Sequence, residues 1–282
     1  ALPGAPRRLV RQEPGSPYEL GRGRRVGPRP VARAGLRARG SIGAKQRCVL
    51  AGASEACEVF EGLGAKAVMK RKDGSLVGKG DVVLTVTGPA RSLLSGERLA
   101  LNFIMRMSGI ATVTRDLVDR CRKHSPDVRV AATRKTVPGF REFEKKAVVL
   151  GGGDPHRFGL DDGVLIKNTH IRIAGGVGEA LRRARASSFT KKVEIEVEGG
   201  EDALAALEGG ADIIMLDNFA PGEARKLYGE LKARRPEVVV EVSGGITPDN
   251  IEKYARAADV ISVGWITHSV RAADFSMTIE RG

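Results

Sequence analysis

Charged residues and glycines recur in this chain at the ends of short apolar runs, where an α/β protein presents its chemistry. Ile213 to Leu216 ends in Asp217-Asn218, Val238 to Val242 in Ser243-Gly244-Gly245, and Val260 to Val263 in Gly264. Upstream, Val128 to Ala132 ends in Thr133-Arg134-Lys135-Thr136, His156-Arg157 follow Gly151-Gly152-Gly153, Val164 to Ile166 ends in Lys167, and Val193 to Val197 carries Glu194 and Glu196. The set is cationic first, carboxylate in the middle and glycine-rich last. Guanidinium forks suit an acid bearing more than one carboxylate, with roughly 1.5–3 kcal/mol from each charge-assisted hydrogen bond. Gly244, Gly245 and Gly264 let bare amides approach a phosphate, and a helix start adds its positive dipole end. Between the two, Glu196 and Asp217 suit Mg²⁺ held through water and pyrophosphate, or a cation developing on a sugar. Glu194 and Glu196 share one strand face, and unpaired carboxylates are costly if that face is interior.

The runs that carry these residues are too short for self-burying helices and are rich in β-branched side chains, so they read as buried strands. Segments of helical spacing separate them: Gly139 to Leu150, Pro221 to Arg235, and Thr247 to Ala257, the last opened by Thr247 as N-cap and Pro248 in the first turn. Strand and helix in alternation mean a parallel sheet with right-handed crossovers, and a (β/α) barrel binds phosphate after its last two strands. Ahead of it, Pro89 to His124 reads as mostly helical with a break near Ser108-Gly109. A small domain starts at Ser41, with a strand at Cys48 to Gly52, a helix capped by Ser54 and ended by Gly64, and a turn at Gly78 to Asp81 leading into strand Val82 to Val86.

Composition narrows the partners. Ten arginines stand against Glu13 and Glu19 in residues 1–40, so +8 of the +13 formal charge lies in a Gly/Pro/Arg-rich arm, and the body is only mildly basic. Aromatic residues are 4%, which disfavours base stacking. Nucleic-acid binding through the arm is the alternative from another class, weighed against a solvated tail. Cys48, Cys57 and Cys121 lack metal-ligand spacing and fit a reduced, cytoplasmic setting. No apolar run reaches membrane-spanning length, and the start lacks a secretion signal's apolar core.

Several ordered stretches resemble the quinolinate phosphoribosyltransferase family from about Ile42 to the C-terminus: Glu97 to Phe103, Ser108 to Thr112, Thr133 to Gly139, His156 to Leu160, Leu165 to Lys167, Leu216 to Asn218, Ser243 to Ile246, and Ser262 to Gly264 with Thr267 to Ser269. The resemblance implies transfer of phosphoribosyl from 5-phosphoribosyl 1-pyrophosphate to quinolinate with Mg²⁺, releasing pyrophosphate and carbon dioxide and leaving nicotinate mononucleotide for NAD synthesis. It implies an α/β fold with a smaller N-terminal α/β sandwich domain and an incomplete (β/α) barrel. Residues 41–112 then form the sandwich and linking helix, 113–269 the barrel, and 270–282 a segment returning to the N-terminal domain. A homodimer or higher assembly is implied, with Arg98 lent across the interface. By the same resemblance Arg134, His156 and Arg157 are expected to hold the quinolinate carboxylates, Lys135 and Lys167 to sit between the substrates, Glu196 and Asp217 to face ribose and metal, and Ser243, Gly244, Gly245 and Gly264 to His268 to take the phosphate. Two departures stand out. Asn168 follows Lys167 where the family has an acid, and residues 1–40 lack its Gly-Asp-Xaa-Thr stretch. A nicotinate-specific enzyme of the same architecture, or a relative with another acceptor, is the nearest enzyme alternative. Three arginines and two lysines favour two carboxylates.

Overall fold

The computed structural model describes residues 35–282. It divides into two compact units: the described residues up to Thr112 with Arg271–Gly282, and Val113–Val270. The arginine-rich arm lies almost wholly outside the described residues.

In the first unit the elements are β1 (Arg37–Ala44), β2 (Cys48–Val49), α1 (Ala53–Gly62), β3 (Lys66–Met69), β4 (Leu76–Val77), β5 (Val82–Pro89) and the long helix α2 (Ala90–Arg122), within which the unit boundary falls. The C-terminal strand Phe275–Arg281 completes an antiparallel sheet, pairing with β1, which pairs with β5, which pairs with β3. The reading of 1–40 as an arm is corrected at its end. Ala38, Gly40, Ile42 and Ala44 alternate inward along β1, so pairing on both sides orders the chain from Arg37 onward despite its arginines. Helix α1 is capped by Asp73, not by Ser54 as N-cap. The Asp73 carboxylate accepts the Ala53 and Ser54 amides at 3.0 and 3.2 Å and the Ser54 hydroxyl at 2.7 Å. The strand expected at Cys48 to Gly52 shortens to the two residues of β2. Burial pushes the thiols of Cys48, Cys57 and Cys121 up to about 11, so all three are free but poor nucleophiles.

The break expected near Ser108-Gly109 is absent, and α2 runs through it. Ser108 turns its hydroxyl outward from the helix to donate to Ala51 O at 3.1 Å and accept the Ala51 amide at 2.9 Å. Gly109 is there for a close approach: a Cβ would sit 2.3 Å from Arg271 O. Gly109→Ala is therefore expected to destabilise by roughly 1–3 kcal/mol, despite alanine's better helix propensity. A urea midpoint equal to or above that of the wild type would contradict this.

The second unit contains β6 (Arg129–Ala131), α3 (Arg141–Leu150), β7 (Val164–Ile166), α4 (Asn168–Ala174), α5 (Val177–Ser187), β8 (Val193–Val197), α6 (Gly200–Glu208), β9 (Ile213–Asp217), α7 (Pro221–Arg234), β10 (Val239–Ser243), β11 (Val260–Ser262) and the short α8 (Trp265–His268). All five strand pairings are parallel, in the order β6-β11-β10-β9-β8-β7. From β7 to β11 each strand neighbours the next in sequence, and the last pairs with the first. That cyclic order belongs to a barrel opened at one seam, between β6 and β7. An Ala131–Asp154 bridge extends the β6 edge. The helix expected over Thr247 to Ala257 reduces to a 3-10 turn, Ile251–Tyr254. Asn250 ties the start of this segment to the preceding loop: Oδ1 accepts the Thr247 amide at 2.8 Å and Nδ2 donates to Gly245 O at 3.0 Å.

Candidate active site

Strand register places the polar residues. Residues paired across a parallel ladder point to the same face, and that face alternates along each strand. Glu194 and Glu196 of β8 therefore point away from buried Val193, Ile195 and Val197. Glu196 is opposite Met215, which is opposite Glu241 of β10, so these three form one interior row. Asp217 opposite Ser243 starts the next row, at the carboxyl ends. The outer face is Ile214, Leu216, Val240, Val242 and Ile261, all buried. The apolar face drives folding, and the inner face is left for chemistry.

At the mouth, Lys167 Nζ bonds Glu196 Oε2 at 2.6 Å across β7 and β8. The Asp217 carboxyl is pushed up, first by burial and then by the charges of Glu196 and Glu198, while Lys167 and Lys135 draw it back. Lys135, Lys167, Glu196 and Asp217 thus share one field, as their positions at strand ends implied. Thr267 donates its hydroxyl to Lys135 O at 2.7 Å, and a Cβ on Gly264 would lie 3.0 Å from Lys135 Cδ and 3.2 Å from His268 Nε2. The loops after β6 and β11 therefore meet. Asn218, at φ 60, donates its amide to Ser243 O at 2.9 Å, joining the loops after β9 and β10. A Cβ on Gly244, at φ +89, would meet Asn218 Oδ1 at 2.3 Å. Gly244→Ala is accordingly expected to raise the KM for the phosphorylated donor about tenfold or to lower stability by roughly 2 kcal/mol, read from steady-state kinetics and thermal unfolding. Unchanged values for both would remove Gly244 from the site.

Deeper in the interior lies a buried group that the strand-end residues did not assemble. His156 Nε2 is 3.2 Å from Glu241 Oε2 and 4.0 Å from Glu194 Oε2, and the Arg157 amide donates to Nδ1 at 2.7 Å. Burial lowers the imidazole pKa, but the Glu241 hydrogen bond and the charges of Glu241 and Glu194 outweigh it, so the net direction is up. The Glu194 carboxyl is pushed up to about 7, by burial first and then by Glu241, against His156 and Arg157. Lys145 of α3 is buried and its ammonium lowered to about 8, chiefly by that burial; its Nζ donates to Pro155 O.

Against known proteins, residues 29–108 match the family model "Quinolinate phosphoribosyl transferase, N-terminal domain" and residues 110–278 the C-terminal one. A "Probable nicotinate-nucleotide pyrophosphorylase [carboxylating]" of Archaeoglobus fulgidus is 48% identical over 241 residues, 84% of this chain and 93% of that protein. The chain belongs to the quinolinate phosphoribosyl transferase family. The solved NadC structure from Streptococcus pyogenes superposes with TM-score 0.84 at 37% identity, covering 90% of each chain. Human nicotinic acid phosphoribosyltransferase, at 12% identity and TM-score 0.61 over 86% of this chain and 70% of that one, shares the fold alone. The family's fold is the one anticipated, a smaller α/β domain and an incomplete barrel.

Within this family member, Arg134, Lys135, His156, Arg157, Lys167, Glu196, Asp217, Ser243, Gly244, Gly245, Gly264 and His268 all belong to the barrel unit. Arg98 belongs to the other unit and is exposed on α2. Arg134 Nε is buried with no hydrogen-bond partner, a donor left for an anion. Asn168 donates its amide to Glu198 Oε1, a bond that a carboxylate there could make only if protonated. Glu196 and Asp217 fit a divalent cation by charge, since Asp217 is crowded by Glu196 and Glu198. They offer two carboxylates rather than a closed cage. Glu241 and Lys145 were missed, and Glu194 was noticed only for its shared face. Glu241 interrupts an otherwise apolar strand run, which was the available signal.

Proposed function

We propose that the protein transfers the phosphoribosyl group of 5-phosphoribosyl 1-pyrophosphate to quinolinate with decarboxylation, yielding nicotinate mononucleotide, pyrophosphate and carbon dioxide in NAD synthesis. What supports this is one barrel mouth in which Lys135 lies beside Gly264 and both Lys135 and Lys167 act on Asp217, together with an unpartnered buried guanidinium nitrogen on Arg134, the residue before Lys135. Arg134 and Arg157 grip the diacid, with His156 beside them. Ser243, Gly244, Gly245, Gly264 and His268 receive phosphate on bare amides and an imidazole.

The pyridine nitrogen attacks the anomeric carbon of the ribose as the bond to pyrophosphate breaks, and the leaving oxygen takes the electron pair. Positive charge grows on the sugar, which Asp217 and Glu196 stabilise more in the transition state than in the ground state. Lys135 and Lys167 neutralise the departing anion. The ring nitrogen is then cationic, so the bond to the neighbouring carboxylate breaks, its electrons stay on the ring carbon, carbon dioxide leaves and a proton replaces it. Mg²⁺, held by Glu196 and Asp217 through water, would neutralise pyrophosphate charge. A cytoplasmic homodimer in which Arg98 serves the partner's site completes the reading; exposed Leu94 and Leu99 flank Arg98 and suit a buried contact. Among the described residues no helix is long and apolar enough to cross a membrane.

The test supplies protein, Mg²⁺ and donor with carboxyl-labelled quinolinate or with nicotinate. Labelled carbon dioxide and nicotinate mononucleotide from quinolinate support the proposal, whereas product from nicotinate alone moves the protein to the nicotinate-specific reading. Arg157→Ala is expected to raise the KM for quinolinate about 30-fold, corresponding to about 2 kcal/mol, with the donor KM within about twofold. An unchanged quinolinate KM would count against this role.

A further inference from the structure

The loop carrying His156 and Arg157 is tied down more heavily than a ligand loop needs for its backbone alone. Asp154 is bridged to β6 through its amide to Val130 O at 2.8 Å and its carbonyl to the Ala132 amide at 2.9 Å. Its side-chain Oδ1 accepts the His156 amide at 2.7 Å, and Lys145 holds Pro155 O. His156 sits at φ 53, a left-handed conformation that a non-glycine residue keeps only where its surroundings over-determine it.

Both ring nitrogens of His156 are engaged by the protein. An amide that donates to Nδ1 requires that nitrogen to be bare, so the proton of the neutral ring is on Nε2, aimed at Glu241. A protonated Nε2 has no lone pair for a metal. His156 and Glu241 are thus a hydrogen-bonded pair with Glu194 4.0 Å away, and the three ligand atoms, within 4.8 Å of one another, are not set as a cation cage. Glu194 Oε1 and Glu241 Oε1 are buried without a hydrogen-bond partner, an arrangement that weakens the fold and calls for a functional reason.

We propose that Glu241, backed by Glu194, is a positioning residue: it locks the His156 ring by Nε2, the ring holds the Arg157 backbone by Nδ1, and this relay from the barrel interior aims the Arg157 guanidinium at the diacid. The inference rests on the diacid reading above and adds to His156 the role of a strut between the barrel interior and Arg157. Arg157 lies close enough for its charge to act on Glu194, as the relay requires.

The test compares Glu241→Leu, which removes the acceptor, with Glu241→Gln, whose amide oxygen can still accept the Nε2 proton. Glu241→Leu should raise the KM for quinolinate about tenfold or more with the donor KM within about twofold, and Glu241→Gln should bring the quinolinate KM back to within about threefold of wild type. A wild-type quinolinate KM in the leucine variant overturns the proposal, as does an equal rise in both KM values. If the leucine variant does not fold, the imidazole ¹⁵N spectrum of the wild-type protein still decides, with His156 assigned among the four histidines by its loss in His156→Gln. Protonated Nε2 with bare Nδ1 supports the relay, and the opposite tautomer sinks it. Wild-type protein that releases no carbon dioxide from quinolinate rejects the function, and the ring tautomer tests the relay separately.

Discussion

Asp217→Asn is expected to lower kcat by roughly 10²–10³ while leaving the KM for quinolinate within about twofold. The substitution keeps the shape and removes the charge. Asn218 Nδ2 donates to Asp217 Oδ2 at 2.8 Å, and β9 pairs on both sides, so the side chain is held at the strand end, where the proposed reaction requires a carboxylate. In the proposed reaction the sugar is neutral in the ground state, so such a carboxylate would act mostly in the transition state. Because burial, Glu196 and Glu198 raise the Asp217 pKa, the working carboxylate is lost on acidification at a higher pH than an ordinary aspartate would be. The acid limb of the kcat profile should reflect this and vanish in the asparagine variant. A kcat within fivefold of wild type, with unfolding temperature unchanged, would remove Asp217 from the chemistry.

The second large effect is on stability, at Glu194. Its carboxyl is raised from the ordinary 4.5 to about 7 inside the barrel. Between those values the folded protein keeps a proton that the unfolded chain has lost, so stability falls as pH rises through the window. Below it there is no penalty, and above about 7 the penalty is full. Glu194→Gln should therefore change stability little at about pH 4, and raise it progressively to roughly 2–4 kcal/mol at about pH 8. The new amide has a ready acceptor in the unpartnered Glu241 Oε1. Urea unfolding across this range measures it, and a pH-independent difference would refute the assignment. A more stable variant with a weaker hold on quinolinate would show stability exchanged for a pre-set site.

Much of the barrel was legible because its signals are local. Short runs rich in β-branched residues read as buried strands, and a residue just past such a run lands at the strand's carboxyl end. Asp217, Ser243, Lys167 and Gly264 were found in this way, and their meeting at one rim follows from cyclic strand order. The break expected at Gly109 failed for the opposite reason. A glycine in a helix reads as a weak point unless one knows that the Arg271 carbonyl comes to rest 2.3 Å from where its Cβ would be. Asp73 could not be read as the cap of α1 from 20 residues away, nor could the helix that Thr247-Pro248 signalled be seen to stop at one 3-10 turn.

By itself the chain's order of residues determined which elements form, which face of each is apolar, and which chemical groups stand at strand ends, because backbone sterics and side-chain alternation act over a few residues. Only the tertiary structure decided that His156 and Glu241, 85 residues apart, meet inside the barrel near Glu194. Burial and mutual repulsion there reset protonation, and those effects depend on distance through space, which sequence separation does not encode.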